Sequence, residues 1–405
     1  MPSDRTTVTE LGTGLGMLGL AGIDEAVRSC TPVMHSLSPE GWERLAGLRA
    51  GGAYDAEFHA AWANGQAFLA ADDGLRGRLP KVVEWKGTGR APGDEVAPID
   101  LRVDHVYLVS CKYLSNILFN VSPQHVFDHL LAAGPARSSR VAREVPTGAG
   151  DWYAEVAPAE YQALYETVRL AAGRCDGVAP TAASHARRNH PARPDRSPAA
   201  VSLPGLGGGD VPTDDAGTDS AAHTARAGVP PPLPRDLPER ARDLTTPQRD
   251  ALRRWLRPGW PPGAKDLYAH LSDAVARASV RRWEEAMDAG GGTSEAMVWR
   301  LLRIGSAPYF VLGSSAARSL RLRIATSWDW RQQYQLLSVA MEPQPGGQPR
   351  VGWEAVVRDR VSSELHEVAG HMEVRWSHGR FGGLPEAKGY LDTPHHLVPG
   401  YYTLR

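Results

Sequence analysis

Asp100, Ser110 and Lys112 are the residues whose types and spacing point most directly to chemistry. They lie in the run Pro-Ile-Asp-Leu-Arg-Val-Asp-His-Val-Tyr-Leu-Val-Ser-Cys-Lys-Tyr, residues 98–113. Its pattern predicts two short strands, Pro98–Val103 and Val106–Tyr113, joined by a tight turn. A carboxylate and a lysine on neighbouring strands cost desolvation and add no core packing. One use for such a pair is metal-dependent phosphodiester chemistry, in which carboxylates hold a divalent cation and an ammonium group orients or helps deprotonate the attacking water. The plain alternative is a β-meander with a surface Asp100–Lys112 pair worth less than about 1 kcal/mol.

The elements that must position these side chains can be read around them. Residues 55–70 place Phe58, Ala61, Trp62 and Leu69 at helical spacing. Lys81–Lys86 reads as a strand stopped by Gly87 and Gly89. After Lys112 a polar loop leads to a helix expected over Pro123–Ala133, with Ser122 as cap and Pro123 at its first position.

The order helix, strand, strand, strand, helix resembles the core of the PD-(D/E)xK, or restriction-endonuclease-like, nucleases over roughly residues 50–150. In that family an acid on the second strand and an acid-x-lysine on the third bind metal and cleave DNA or RNA. The resemblance implies a metal-dependent DNA endonuclease of restriction or anti-phage defence type. Asp100 would bind Mg2+ or Mn2+, Lys112 would position the nucleophilic water, and Asn120 and Gln124 would touch substrate. One position departs from the pattern: the third-strand acid falls on Ser110, a poor metal ligand. Some members of the family move this acid to another element. Glu84 is therefore expected as the second metal carboxylate, Glu57 is next in line, and Ser110 would line the site. A competing register, Glu84-Trp-Lys86 with Asp73 upstream, ranks lower because residues 72–77 do not read as a strand. The rival from another class is a nuclease-like module that has lost its metal and serves as a nucleic-acid- or protein-binding subunit. A third reading is a structural protein of large phage or secretion-system assemblies.

Composition sets wider limits. The 405 residues suffice for two or three domains. A net charge of −1 gives no global support for nucleic-acid binding, so any basic footprint must be local. Cys30, Cys111 and Cys175 are odd in number and widely spaced, which suggests a reducing cytoplasm. The apolar run Leu11–Ile23 is too short and glycine-rich to span a bilayer, so no membrane partner is expected. DNA is the expected partner, RNA the alternative, with a protein partner or homodimer also open.

The organisation expected along the chain is mixed α+β: a helical segment 1–50, an α/β nuclease-like domain 51–175, a disordered linker 176–240, and a helical then antiparallel β-rich recognition domain 241–405. The linker is assigned from its Ala, Pro, Gly and Ser content, which leaves too little apolar surface to offset chain entropy. In the last domain, helices are expected over Gln248–Arg257 (capped by Thr246), Lys265–Asp288 and Ser294–Leu302. Strands are expected over Pro308–Gly313, Ser319–Ser327, Gln333–Ala340, Val351–Asp359 and His371–Ser377.

Three further motifs lie outside the hairpin. Gly14-Leu-Gly16-Met-Leu-Gly19 fits a dinucleotide fingerprint, but no strand precedes it, so it reads as a flexible glycine-rich segment. His366 and His371 are five apart, the wrong spacing for a zinc-protease helix. Residues 375–396 mix basic, aromatic and histidine residues with glycines. Arg375, His378, Arg380 and Lys388 are expected on exposed loops as phosphate contacts, with Trp376 and Phe381 stacking on bases. Arg300, Arg303, Arg318, Arg321, Arg323 and Arg331 lend this region a basic bias.

Overall fold

The computed structural model describes residues 3–87, 99–113, 117–130, 150–175, 237–290, 293–315, 318–344 and 347–405. The linker expected at 176–240 lies outside these residues except for its last four. Among the described residues no helix is long and apolar enough to cross a membrane.

Among the described residues the fold is mixed α/β with two sheets. The first contains β1 (Met34–His35), β2 (Val83–Trp85), β3 (Leu101–Val103), β4 (Tyr107–Tyr113), β6 (Tyr309–Ser315), β7 (Arg318–Ile324) and β12 (Tyr401–Thr403), in the order β1-β2-β3-β4-β6-β7-β12. The second, antiparallel throughout, contains β5 (Ile117–Val121), β8 (Tyr334–Gln344), β9 (Arg350–Asp359), β10 (Leu365–Trp376) and β11 (Pro385–Leu391), in the order β5-β11-β10-β9-β8. Within the first sheet β2, β3 and β4 form an antiparallel meander, and β4 pairs in parallel with β6, Ser110 opposite Val311 and Lys112 opposite Gly313. A parallel pair needs a long crossover connection. Here nearly two hundred residues separate the two strands, a span read from their ends at Tyr113 and Tyr309.

This pairing crosses the domain boundary expected between 175 and 241. The first sheet takes β1–β4 from before that boundary and β6, β7 and β12 from after it, while β5 joins the second sheet. The cores agree. Phe310 and Leu312 of β6 are buried with Val8, Leu11, Phe58, Val83, Leu101 and Val109. Val109 and Cys111 of β4 share this core, so β4 and β6 are buried together. A buried ion pair, Arg249 Nη2 to Asp151 Oδ2 at 2.7 Å, also links the two stretches.

The segment 1–50 is more tightly specified than its glycines suggest. Ser3 caps α1 (Asp4–Gly16), accepting from the Thr6 N–H at 3.2 Å. That helix lies against α4 (Asp55–Ala70), and Thr7–Gly16 is buried throughout. The backbones approach closely at glycines. A Cβ on Gly16 would stand 2.4 Å from the Trp62 carbonyl oxygen, and one on Gly65 would stand 2.1 Å from that of Thr13. Gly14 and Gly16 of the fingerprint-like run are thus packing surface, correcting the expectation of a flexible segment.

Elsewhere the helical periodicities are realised with small shifts. The α5 helix is short (Trp152–Val156), and α6 spans Pro158–Cys175. Thr245, one residue before the expected cap, forms a capping box with Gln248 at the start of α7 (Thr246–Trp255). The long helix is α8 (Ala264–Gly290), followed by α9 (Ser294–Leu301) and α10 (Ser327–Gln333). Of the helix expected at 123–133, residues 123–130 are described and His125–Leu130 is π-helical, with the Ser122 hydroxyl accepting from the His125 N–H at 3.3 Å.

Candidate functional site

The hairpin that carries the site turns on Asp104 and His105, both in the left-handed region (φ 50° and 60°). The turn is closed by the Val106 N–H donating to the Val103 carbonyl at 3.0 Å, and Val103 pairs with Tyr107 across it. The Asp104 carboxylate offsets the unfavourable conformation by accepting from the N–H groups of Lys81 (2.7 Å) and Val82 (3.1 Å). The turn therefore also fixes the entry of β2, and with it the alignment of all strands of the meander.

Asp100 sits just before β3. Its Oδ2 accepts from the Cys111 backbone N–H at 2.6 Å and from the Ser110 hydroxyl at 3.2 Å. Ser110 is fully buried and, like Lys112, lies on one face of β4 by strand alternation. Burial pushes Asp100 up from the usual carboxylate range, opposed first by the charge of Lys112. Burial likewise pushes the Lys112 ammonium down, opposed by Asp100, and the nearby Arg303 guanidinium adds to the fall. Desolvation thus outweighs attraction for both groups and favours their neutral forms. The exposed surface pair of the plain reading is not what forms.

A further buried carboxylate feels the charge of Asp100. Glu10, on α1, is 6% exposed, and its Oε2 accepts from the Trp85 indole N–H at 2.6 Å. Burial and then repulsion from Asp100 push its pKa up to about 8, against the opposing effects of Trp85 and Lys112. The signal available in the sequence was an acid, Glu10, inside the otherwise uncharged run Thr6–Leu20, where a buried charge calls for a reason.

Glu84 and Glu57, the carboxylates expected to complete the site, are engaged elsewhere. Glu84 pairs with Lys86 at 3.1 Å and faces Arg102 at 4.0 Å. Its neighbour Trp85 projects to the other face of β2 and is the residue that reaches α1. Glu57 is buried on α4 and pairs with Arg5 at 3.0 Å. The competing register is not assembled either, since Asp73 pairs with Arg323 of β7 at 3.2 Å.

The expected substrate contacts are dispersed. Asn120 is exposed on β5, opposite Lys388 of β11. Gln124 donates to the Gly150 carbonyl at 3.0 Å. Arg375 and Lys388 lie on β10 and β11, correcting their placement on loops. Arg375 faces Glu373 at 4.0 Å, and Lys388 faces Glu386 at 3.9 Å. Arg380 donates to the Leu256 carbonyl at 2.7 Å and covers the Trp260 ring. Of the four expected phosphate contacts only His378 is exposed. Trp376 and Phe381 are core residues stacked on each other at 4.9 Å, so they present no face to a base. Strand alternation sends Val374 and Trp376 inward together. The arginine bias is also spent within the fold: Arg321 binds Asn64, Arg323 binds Asp73 and Asp329, and Arg331 binds Glu295. His366 and His371 lie on strand β10, and the His371 Nδ1 meets Asp392 at 2.8 Å.

In comparisons with known proteins, the chain matches no family model, no curated protein and no solved structure. The functional reading therefore stands on the hydrogen bonds that hold Asp100 and on the charges of Glu10 and Lys112 acting on it.

Proposed function

We propose that this chain is a metal-dependent endonuclease of the PD-(D/E)xK type acting on DNA, with Glu10 rather than Glu84 or Glu57 as the second carboxylate. The observation that carries this reading is the half-buried Asp100 carboxylate, held by the Cys111 N–H and the Ser110 hydroxyl, with the charges of Glu10 and Lys112 acting on it. Asp100 enters the second strand of the meander, Lys112 lies on the third, and the displaced acid comes from a helix.

The donor set fits Mg2+ or Mn2+. Both are hard cations that take oxygen ligands, and Mg2+ is commonly held by one or two carboxylates completed by water and substrate phosphate. Two acids that repel each other, as Glu10 and Asp100 do, are the electrostatic environment a divalent cation relieves. When bound, that cation supplies charge neutralisation at the phosphate and a more acidic water. The chain's own groups do the rest. The Cys111 N–H and the Ser110 hydroxyl fix the direction of the Asp100 carboxylate. Lys112, drawn toward its neutral form, orients the attacking water and exchanges a proton at Nζ. Ser110 thus serves as a support for Asp100 where the family pattern has an acid.

Incubation of supercoiled DNA with Mg2+ or Mn2+ should give nicked or linear product, and EDTA should abolish it. Lys112→Ala should lower the rate by roughly 10²–10⁴ with an unchanged circular dichroism spectrum. Equal rates for wild type and variant would remove the site. DNA binding without cleavage would favour the non-catalytic module, the reading that Ser110 in the acid position supports.

A further inference from the structure

We infer that Trp85 is a positioning residue that sets the spacing of the two carboxylates through the Trp85-Lys86 dipeptide. This rests on the reading of Glu10 and Asp100 as a cation site.

The geometry runs through two consecutive residues. The Trp85 side chain donates its indole N–H to Glu10 Oε2 at 2.6 Å. The next residue donates its backbone N–H, Lys86 N to the Asp100 carbonyl oxygen, at 3.0 Å. One dipeptide at the end of β2 therefore holds one acid by a side chain and the other by backbone. Glu10 lies on a helix and Asp100 at a strand entry, so their separation is otherwise set only by helix–sheet packing. The indole is itself fixed. Trp85 pairs with Leu101 across the β2–β3 ladder, and Gly87, with φ of 52°, turns the chain back so that a Cβ there would lie 3.4 Å from the indole ring. Because the indole N–H is a donor only, it engages one carboxylate oxygen and leaves Oε1 of Glu10 for a ligand. Outer hydrogen bonds of this kind orient metal-binding carboxylates, and their loss typically weakens metal affinity by roughly 10–100-fold.

Trp85→Phe tests the inference, since it keeps a ring in place and removes the N–H. Mn2+ binding is measured by titration calorimetry on the full chain, with Glu10→Gln and Asp100→Asn as site controls. The expected result is one Mn2+ bound by wild type and none by either control. Trp85→Phe should bind one Mn2+ with affinity lower by roughly 10–100-fold, with a melting temperature in EDTA close to that of wild type. Trp85→His, which restores a ring N–H, should recover part of the loss. Affinity in Trp85→Phe equal to that of wild type overturns the positioning role while the cation site stands. Absence of Mn2+ binding by wild type overturns the cation site and the inference together. A Trp85→Phe loss matched by a lowered EDTA melting temperature, with no recovery in Trp85→His, assigns Trp85 to packing and overturns the inference as well.

Discussion

Glu10→Gln should make the cation-free protein more stable, and by an amount that grows with pH. Glu10 is an acid whose pKa stands at about 8 in the fold, against an ordinary value of 4.5. Between those values the folded state holds a proton that the unfolded chain has released. Stability therefore falls as pH rises through this window, because the unfolded state binds fewer protons than the native one. Below the ordinary value both states are protonated and the penalty vanishes. Gln is neutral at every pH and keeps an acceptor oxygen for the Trp85 indole, so the substitution removes the penalty alone. At 1.36 kcal/mol per pKa unit, the advantage of the variant comes to about 1 kcal/mol at pH 5, about 3 at pH 7 and about 5 above pH 9. Urea unfolding in EDTA at those three pH values, read as midpoint and slope, measures it. Parallel stability curves for wild type and Glu10→Gln would show that Glu10 is neither buried nor repelled by Asp100 as the site requires. Added Mn2+ should reverse the order, since wild type alone keeps both carboxylates.

Gly65→Ala should destabilise the fold by about 1–3 kcal/mol, the usual scale for overpacking, because its Cβ would stand 2.1 Å from the Thr13 carbonyl; a melting curve identical to wild type would refute the close approach of α1 and α4. Cleavage by a protease within 176–236 should leave the fragments before and after the cut associated in native size exclusion and separable only in denaturant, because the β4–β6 pairing and the shared core hold them. Fragments that part without denaturant would restore two independent domains.

Much of the local structure was legible in the chain. Alternating residues marked β4 and its turn, Phe58–Trp62–Leu69 spacing marked α4, and Pro, Thr and Gln marked the start of α7 near its true position. These signals are local: side-chain period, a cap and a turn residue each act within a few positions. The neighbouring of Asp100 and the end of β4 was also legible, because a short hairpin must bring its two strands together.

What only the tertiary structure decided is which distant residues complete that hairpin. Placing β6 beside β4 depends on a core shared with α1 and α4, and nothing near either strand names its partner. Glu10 reaches Trp85 of β2 from α1, a helix that glycines at 16 and 65 let settle on α4, and these are residues far apart in sequence. The arginines near 320 and the aromatics at 376 and 381 looked available for nucleic acid because a linear pattern cannot reveal which polar groups the fold uses internally. The sequence alone determined the elements and the acid–lysine hairpin. The tertiary structure placed Glu10 under burial and the repulsion of Asp100, effects that arise only when the helix and the sheet are brought into contact.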